Sequence, residues 1–489
     1  MKVSSLTRIL KTDKEYGGGM NVNSNTHIWQ LSAMEIVRAI RQKEISCEET
    51  ITSHLKRIKT VNEKINAITV ILETSALKSA KNADKLIASG KTLPPLLGVP
   101  LTVKGNIDCA GSATTFGVNV LKDAQPQADA PHIKNLRNAG AIVIGRTNMP
   151  DLGLRLHTDN DLYGATLNPW DRSCTPGGSS GGDAAAVASK MTPLGLGNDY
   201  GGSLRQPANF CGVTTIRPSY GRVPDYMSLL PSEPAISMQL FMVQGPIARR
   251  VGDLLPALQS MSLFDPRDPH WIPAGFPEYD THPVRVAMSI HIQDADLDPA
   301  VLDGIYKAAD ALTDAGYIVE EVEPPKLHDV WKLWIELTGS EIRMFTLPSV
   351  KPIISQGALK FLTNWVDLFP DGGHSGYMAG LAMRNKIARE WSIFQQDYPL
   401  VLGPVVATQP FKVDHDIKTL DGFQKIMAGY PLTMGANVLG LPAVALPVGI
   451  ANALPQGVQI VGPRFQERLC LDAAQAIEDR LGVIWPLMV

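Results

Sequence analysis

The sequence predicts an α/β protein in which one sheet is covered by helices. Three observations support this fold class. Two capped amphipathic helices stand near the start, short apolar runs then alternate with helical stretches, and that alternation returns near the C-terminal end. Apolar strands that alternate with helices are typical of layered α/β domains.

The first predicted elements form a helical pair. Ser32 and Ser46 are each followed three residues later by a glutamate, Glu35 or Glu49, and each precedes apolar residues at helical spacing. This pattern is a capping box, in which both side chains satisfy free backbone N–H groups at the start of a helix. Residues 1–26, which precede the pair, are predicted to be an N-terminal extension.

The next segments alternate between strand and helix patterns. Apolar runs at residues 67–72, 98–103 and 141–145 are separated by helical stretches at 76–87 and 132–139. Such runs are short enough for buried strands, and the stretches between them are long enough for helices that cover a sheet.

Residues 220–240 and about 325–420 interrupt this alternation. The second region contains four of the eight tryptophans. We predict that it is an inserted cap over a pocket, because pockets for small molecules are lined mainly by apolar and aromatic side chains.

Apolar strands are predicted again within residues 437–449 and 456–462, and a helix within 469–481. The C-terminal part therefore returns to the main sheet. We predict that residues 27–489 form a single domain with the cap inserted.

Charge and cysteine content exclude several classes of partner. The 45 Lys and Arg residues and 48 Asp and Glu residues give a net charge of −3, so nucleic acid is not expected as a partner. The five cysteines are scattered without a C-x-x-C pair, which predicts neither disulfides nor a zinc site and favours a reducing cytoplasm.

The longest apolar stretch, residues 439–450, is too short and too rich in proline to cross a membrane. No cofactor or metal is expected, and a homodimer is left open.

Two loops rich in glycine and serine are predicted to form one site. Residues 175–183 read TPGGSSGGD and lead into a helix of small residues, and residues 197–207 read GNDYGGSLRQP and follow an apolar run. Glycine permits close approach of two backbones and dihedral angles that other residues avoid. A flexible linker is the alternative for the first loop, but the second loop so close along the chain favours a site.

With VKGNID at residues 103–108, these loops resemble the amidase signature family. The resemblance covers most of the chain and is weakest over about 325–420. It implies one central mixed β-sheet covered by helices on both faces, with an inserted cap. It also implies a catalytic triad at the matching positions Lys104, Ser179 and Ser203, whose spacings agree with the family.

The chemistry of these residue types fits that assignment. A serine hydroxyl is a weak nucleophile and must lose its proton as it attacks, and a lysine accepts that proton only when it is neutral. Lys104 is therefore expected to be buried, because loss of solvation lowers the pKa of a lysine. Ser179 would relay the proton between Ser203 and Lys104.

The resemblance implies two further features of the backbone. The Gly178–Ser179 peptide is expected to be cis. The amides of Tyr200, Gly201 and Gly202, together with that of Ser203, are expected to form the oxyanion hole, where glycines leave room for the substrate carbonyl.

Other interpretations of the same residues are weaker. Ser180 fits the G-x-S-x-G nucleophile elbow, but no apolar strand precedes it. His157, His374 and His415 could each serve a Ser-His-Asp enzyme, and none stands in an informative context. The Asp414–Asp416 triplet could be a metal site, but adjacent side chains diverge, so a solvated loop is expected.

The chain departs from the family pattern at four positions near the predicted triad. Gly105 replaces the aspartate that commonly follows the lysine, and Tyr200 replaces a small residue before the double glycine; Asp183 and Asn198 are also unusual. These changes are expected to affect substrate specificity and the contacts that hold Lys104 in place.

Asp199 and Arg205, on either side of Ser203, are expected to hold the Ser203 loop in shape. The alternative is that Arg205 binds a substrate carboxylate.

The leading functional hypothesis is a hydrolase of neutral apolar or aryl amides, and of carbamates of similar shape, such as an aryl acylamidase or a urethanase-like amidase. Part of the aromatic and methionine content of the cap would line the acyl pocket. The alternatives are the amidase subunit of a tRNA-dependent amidotransferase and a non-catalytic binding protein on the same scaffold.

Overall fold

The structure, a computed structural model, describes residues 27–229, 233–279, 283–369 and 371–486. The predicted extension at residues 1–26 lies outside the described residues. The strands are β1 (Ile68–Ile71), β2 (Pro100–Lys104), β3 (Ile142–Thr147), β4 (Leu194–Asp199), β5 (Thr214–Arg217), β6 (Val243–Ala248), β7 (Arg285–Met288), β8 (Ile318–Glu321), β9 (Leu400–Gly403), β10 (Ala443–Ala451) and β11 (Leu454–Val461).

These strands form one sheet in the order β1-β3-β2-β4-β6-β5-β10-β11-β9-β7-β8. The pairs β2/β3, β2/β4, β7/β8 and β7/β9 are parallel, and the other pairs are antiparallel. The predicted mixed central sheet is therefore confirmed.

The α-helices cover this sheet. In chain order they are α1 (Ala33–Arg41), α2 (Cys47–Ile65), α3 (Glu73–Ala88), α4 (Pro131–Asn138), α5 (Gly181–Ala188), α6 (Arg205–Cys211), α7 (Ile236–Phe241), α8 (Leu254–Met261), α9 (Pro299–Asp314), α10 (Leu327–Glu341), α11 (Leu347–Val350), α12 (Gln356–Leu368), α13 (Gly373–Asp397), α14 (His415–Lys418), α15 (Leu420–Ala428), α16 (Pro431–Leu439) and α17 (Glu467–Leu481). In the part of the chain that the structure describes, none of the helices has the length and apolar character needed to cross a bilayer.

The two predicted capping boxes are present. Ser32 Oγ accepts from the backbone N–H of Glu35, whose carboxylate accepts from the N–H of Ser32 at 2.7 Å. Ser46 and Glu49 make the same pair of bonds at the start of α2. Each box satisfies N–H groups that a helix start leaves free, so both helices begin where the sequence predicts.

One predicted strand begins too early. Residues 437–439, predicted to be part of a strand, instead end α16, and β10 begins only at Ala443. Gly440 ends the helix in the left-handed conformation, with φ of 68°. A short apolar run does not by itself distinguish a buried helix end from a strand, which explains the error.

The core consists of two apolar clusters. The larger one packs helices α1 to α5, α8, α9 and α17 against the sheet. The second joins the helices of the predicted cap, α10, α12 and α13, to α15, α16 and the loops that precede α5 and follow β2. The region 325–420 also contains β9, which lies in the central sheet between β11 and β7, so only its helices stand apart from the sheet. The single-domain assignment stays a prediction.

A glycine at the start of α5 is required by close packing, which gives a first prediction. A Cβ on Gly182 would lie 2.6 Å from the backbone nitrogen of Asn148 and 2.9 Å from the carbonyl oxygen of Ala67. We expect Gly182→Ala to lower the free energy of unfolding by about 1–3 kcal/mol, because the backbone must shift to admit the methyl group. Urea denaturation measures this change.

Gly376→Ala is the matched control, since Gly376 is also helical and a Cβ there would meet open space. That substitution should raise the free energy of unfolding by about 0.4–1 kcal/mol, because alanine has less freedom in the unfolded chain. Equal effects at the two glycines would contradict the packing argument.

Candidate active site

The predicted triad residues lie at one edge of the sheet. Lys104 ends β2, Ser203 follows the end of β4, and β2 and β4 are parallel neighbours, so both strands end at the same edge. Ser179 lies in the loop that leads into α5, which packs on both strands. The topology therefore brings together three segments that are distant in the sequence.

Lys104 is fully buried and lies in direct contact with Ser179. Its Nζ is 2.7 Å from Ser179 Oγ and 2.7 Å from Asn198 Oδ1. Asn198 in turn donates from Nδ2 to Asn106 Oδ1 at 3.1 Å, which fixes the amide so that its oxygen faces the lysine.

Burial lowers the pKa of Lys104 to about 7, and the negative charges of Asp183 and Asp199 oppose that decrease. An ordinary lysine has a pKa near 10.4 and is almost entirely protonated at neutral pH. Burial therefore shifts Lys104 toward its neutral form, which is the form of a lysine that can accept a proton.

The two glycine-rich loops are joined to each other. The Gly178 N–H donates to Gln206 Oε1 at 3.0 Å, and the Ser180 N–H donates to the Ser203 carbonyl at 3.2 Å. The Gly178–Ser179 peptide is cis, as the family resemblance implies. Ser179 is buried, whereas Ser203 is partly exposed.

The loop before Ser203 is packed tightly against the cap. A Cβ on Gly201 would lie 2.5 Å from Trp334 Cζ2, and the Trp334 indole N–H donates to the Tyr200 carbonyl at 3.1 Å. The Gly202 N–H donates to Asp199 Oδ1 at 2.8 Å. The assignment of the Tyr200, Gly201 and Gly202 amides to an oxyanion hole stays a prediction, and the amide of Gly202 would have to be shared with Asp199.

Asp199 and Arg205 form a buried ion pair that shapes this loop. Arg205 Nε donates to Asp199 Oδ2 at 3.0 Å, and both side chains are fully buried. Asp199 also accepts from the amides of Gly202 and Leu204. Burial alone would raise the pKa of Asp199, but Arg205 outweighs it and holds that pKa well below its usual range. The geometry supports the structural role, because the buried Arg205 guanidinium is already engaged.

Tyr200 connects the loop to the cap through a chain of hydroxyl and carboxyl groups. The Tyr200 hydroxyl lies 2.5 Å from Ser237 Oγ, and Ser237 Oγ donates to Glu341 on α10. Tyr377 on α13 donates to the same carboxylate at 2.7 Å. The Tyr200 ring also packs against Trp334, with 5.7 Å between ring centroids. The bulky residue at position 200 therefore anchors the loop to the cap helices.

The residues considered for other catalytic mechanisms contact different partners. Ser180 is fully buried and its hydroxyl faces the Asn198 carbonyl at 3.4 Å, which is not the exposed position of a nucleophile elbow. His157 is buried beside Thr175, and burial lowers its pKa to about 3. Neither residue has the contacts of a nucleophile and its base.

The Asp414–Asp416 triplet binds an arginine. Arg155 donates to Asp414 at 2.5 Å and to both carboxylate oxygens of Asp416 at 3.0 Å. Asp416 is fully buried, so the expectation of a solvated loop is wrong for that residue. Within the described ranges, no three His, Cys, Asp or Glu side chains cluster in a way that could hold a metal ion.

Asn198 and Asp183 are unusual for the family, and the sequence pattern assigns neither a role. Asn198 contacts the lysine amine, and Asp183 is a fully buried carboxylate one helical turn after Ser179. The available signal was an amide side chain beside Asp199 at the end of a strand whose other residues are apolar or glycine, and an acid among the alanines of α5.

The Asp199–Arg205 pair gives a second prediction. Arg205→Met should lower the free energy of unfolding by about 3–5 kcal/mol, because it leaves Asp199 charged and unpaired in the interior. Lys425→Met is the control, since Lys425 forms an exposed pair with Asp421 and should cost less than about 1 kcal/mol. An Arg205→Met enzyme with unchanged stability and impaired action only on carboxylate-bearing substrates would instead make Arg205 a substrate-binding residue.

Comparison with known proteins identifies the family of the chain. Residues 49–471 match the Amidase family. The chain is 41% identical over 466 residues to an indoleacetamide hydrolase of Bradyrhizobium diazoefficiens, covering 94% of this chain and 88% of the relative. It is 31% identical over 483 residues to a subunit of the glutamyl-tRNA(Gln) amidotransferase of Geobacillus stearothermophilus, covering 91% and 96%. The structure of a bacterial aryl acylamidase superposes with a TM-score of 0.77 at 26% identity, covering 92% and 96% of the two chains. The chain therefore belongs to the amidase signature family and is an enzyme that hydrolyses amides.

Proposed function

We propose that this enzyme cleaves the C–N bond of neutral, aryl-substituted amides through an acyl-enzyme on Ser203, with Ser179 as the proton relay and Lys104 as the base. The observation that carries the proposal is the 2.7 Å contact between Lys104 Nζ and Ser179 Oγ, buried at the sheet edge where the partly exposed Ser203 also lies. This contact would carry the second transfer of the relay, from Ser179 to Lys104, because a proton passes between groups that lie within hydrogen-bond reach.

Acylation would proceed in two steps. Ser203 Oγ forms a bond to the amide carbon while its proton passes to Ser179 and the proton of Ser179 passes to Lys104, and the carbonyl electron pair moves onto the oxygen. As that pair returns, the C–N bond breaks and the leaving nitrogen takes a proton back along the same relay. A water molecule then attacks the ester with the same proton transfers and releases the carboxylic acid.

The developing negative charge would be stabilised by the backbone amides of the Ser203 loop. Asp199 and Trp334 fix this loop from two sides, through the Gly202 amide and the Tyr200 carbonyl. Donors that are held in place before the reaction do not have to reorganise as the charge forms, which is the main advantage of an oxyanion hole.

The cap and the relatives support the proposed substrate class. Tyr200, Phe241 and Trp334 form an aromatic group beside the Ser203 loop. Apolar and aromatic surfaces select uncharged ligands of matching shape. The indoleacetamide hydrolase relative and the aryl acylamidase neighbour support an aromatic acyl or aryl group, so indole-3-acetamide is the first substrate to try; aryl carbamates present a similar shape.

The second candidate function is the amidase component of a tRNA-dependent amidotransferase. The similarity to the Geobacillus protein favours it, although the identity is lower than to the indoleacetamide hydrolase. Such a component works in a complex, so activity of the purified chain alone on a simple amide distinguishes the two. A binding protein without activity is disfavoured, because Lys104 and Ser179 are placed in contact and the nucleophile position is intact.

We further propose that the enzyme works in the reducing cytoplasm on a small-molecule amide, without nucleic acid and away from membranes. All five cysteines are buried and unpaired, and the net charge is −3. Size-exclusion chromatography with light scattering tests whether it is a homodimer.

The triad assignment predicts the effect of three alanine substitutions. Ser203→Ala should abolish turnover with the fold intact, because it removes the atom that forms the acyl-enzyme. Ser179→Ala and Lys104→Ala should each lower kcat on the order of 10³-fold or more, since relay members act as a unit. Circular dichroism controls for folding, and turnover by Ser203→Ala within about tenfold of wild type would sink the assignment.

The substrate proposal predicts an order of reactivity. kcat/KM for indole-3-acetamide, an aryl anilide and an aryl carbamate should exceed kcat/KM for acetamide and glutamine. Each apolar group that the pocket accommodates contributes on the order of 1–3 kcal/mol of discrimination. If acetamide or glutamine is the better substrate, the aromatic residues of the cap serve only packing and the proposed substrate class is wrong.

A further inference from the structure

The environment of Lys104 contains a carboxylate that the proposed mechanism does not use. Asp183 is the third residue of α5, one helical turn after Ser179, and is fully buried. Its Oδ1 accepts from Thr147 Oγ1 at 2.5 Å, and within the described part of the chain its Oδ2 has no hydrogen-bond partner. A buried carboxylate with a free oxygen is costly, so its presence beside the site needs a reason.

The sheet places this carboxylate on the helix that packs over the strand of the lysine. Thr147 and Lys104 are register partners in the parallel pair β2/β3, and α5 packs across β2, β3 and β4. The hydroxyl that holds Asp183 therefore belongs to the residue beside Lys104. Lys104 Nζ uses two hydrogen bonds on Ser179 and Asn198, and a protonated lysine has three donors.

Among the charged groups that surround α5 in the described residues, Asp183 is the carboxylate whose charge is available to interact with the charge of Lys104. The charged or titratable side chains on the elements packed against α5 are Lys104 on β2, Arg146 on β3, Asp199 on β4, and Arg205 and Cys211 on α6.

Three of these charges are already engaged. Asp199 is paired with Arg205, and the Arg146 guanidinium donates to the backbone carbonyls of Val103 and Lys104. Burial raises the pKa of Asp183 to about 7, and the hydrogen bond from Thr147 and the positive charge of Lys104 oppose that increase.

We propose that Asp183 is a positioning residue of the reaction: its carboxylate on α5 stabilises the ammonium that forms when Lys104 accepts the nucleophile's proton. Gly105, the residue directly after the lysine, brings no charge of its own to the site. The inference rests on the proposed role of Lys104.

The physical reason is the low polarity of the site. Acylation creates a positive charge on a fully buried amine, where water does not solvate it. A negative charge fixed nearby lowers the free energy of that ammonium far more than it would in water. Thr147 donates a hydrogen bond to one carboxylate oxygen of Asp183, and among the described residues the other oxygen has no hydrogen-bond partner.

Asp183→Asn tests the proposal, because asparagine keeps the shape and removes the charge. Without that charge the protonated form of Lys104 is less stable, so its pKa falls. We expect the apparent pKa of the rise in kcat/KM with pH to decrease by about one unit or more, and kcat on the alkaline plateau to fall on the order of tenfold, because the base is weaker. A merely structural role would lower kcat without moving the pKa.

The profile is measured from about pH 5 to 10 with an uncharged amide, so that only the enzyme titrates. Thr147→Val is the second variant. Thr147→Val keeps the Asp183 carboxylate but removes the hydrogen bond that favours its charged form. The apparent pKa of kcat/KM should therefore also decrease, by a smaller amount than in Asp183→Asn. Asp303→Asn, at an exposed carboxylate on α9, is the matched control and should leave the profile unchanged.

An unchanged apparent pKa in Asp183→Asn, with Ser203→Ala inactive, overturns the role of Asp183 and leaves the proposed mechanism standing. If Asp183→Asn does not fold, Thr147→Val decides by the same criterion. Turnover by Ser203→Ala would instead overturn the mechanism itself.

Discussion

The site depends on the burial of one amine at the end of a central strand. Lys104 is the last residue of β2, and β3, β4 and α5 enclose it, so its Nζ reaches Ser179 and Asn198 rather than water. This enclosure lowers its pKa to about 7 and makes a lysine usable as a base. The last glycine of the GGSSGG segment serves the same constraint, because a Cβ on Gly182 would lie 2.6 Å from the backbone nitrogen of Asn148, the residue that follows β3.

Enclosing a charge in the core requires compensation around it. Asp199 and Arg205 neutralise each other and at the same time fix the amides of the Ser203 loop. A second buried group, Arg155 with Asp414 and Asp416, attaches the segment beside Ser179 to the short helix α14. Buried ion pairs contribute little net stability, but they penalise any arrangement in which one partner is left alone. Here they specify the positions of loops that glycine alone would leave undefined.

Much of this architecture could be predicted from sequence. The capping boxes at Ser32 and Ser46, the alternation of strands and helices, and the two glycine-rich loops all rest on local patterns that survive in the folded chain. The strand predicted from residue 437 was wrong at its start because an apolar run fits a buried helix end equally well. The contacts of Asn198 and Asp183 with the surroundings of Lys104 depend on strand register and helix packing, which no local pattern reports.

The cap takes part in the geometry of the reaction centre as well as covering it. Trp334 and Glu341 lie on one helix, α10, and act on the same residue: the indole N–H binds the Tyr200 carbonyl, and Glu341 holds the Tyr200 hydroxyl through Ser237. A shift of α10 would therefore move the amides that precede Ser203. In the proposed mechanism these amides stabilise the oxyanion, and small displacements of oxyanion donors weaken transition-state stabilisation strongly, so a change in α10 would affect the rate as well as the fit of the acyl group. Substitutions in α10 that change the size of the acyl group that the enzyme accepts should consequently change kcat together with KM, rather than KM alone.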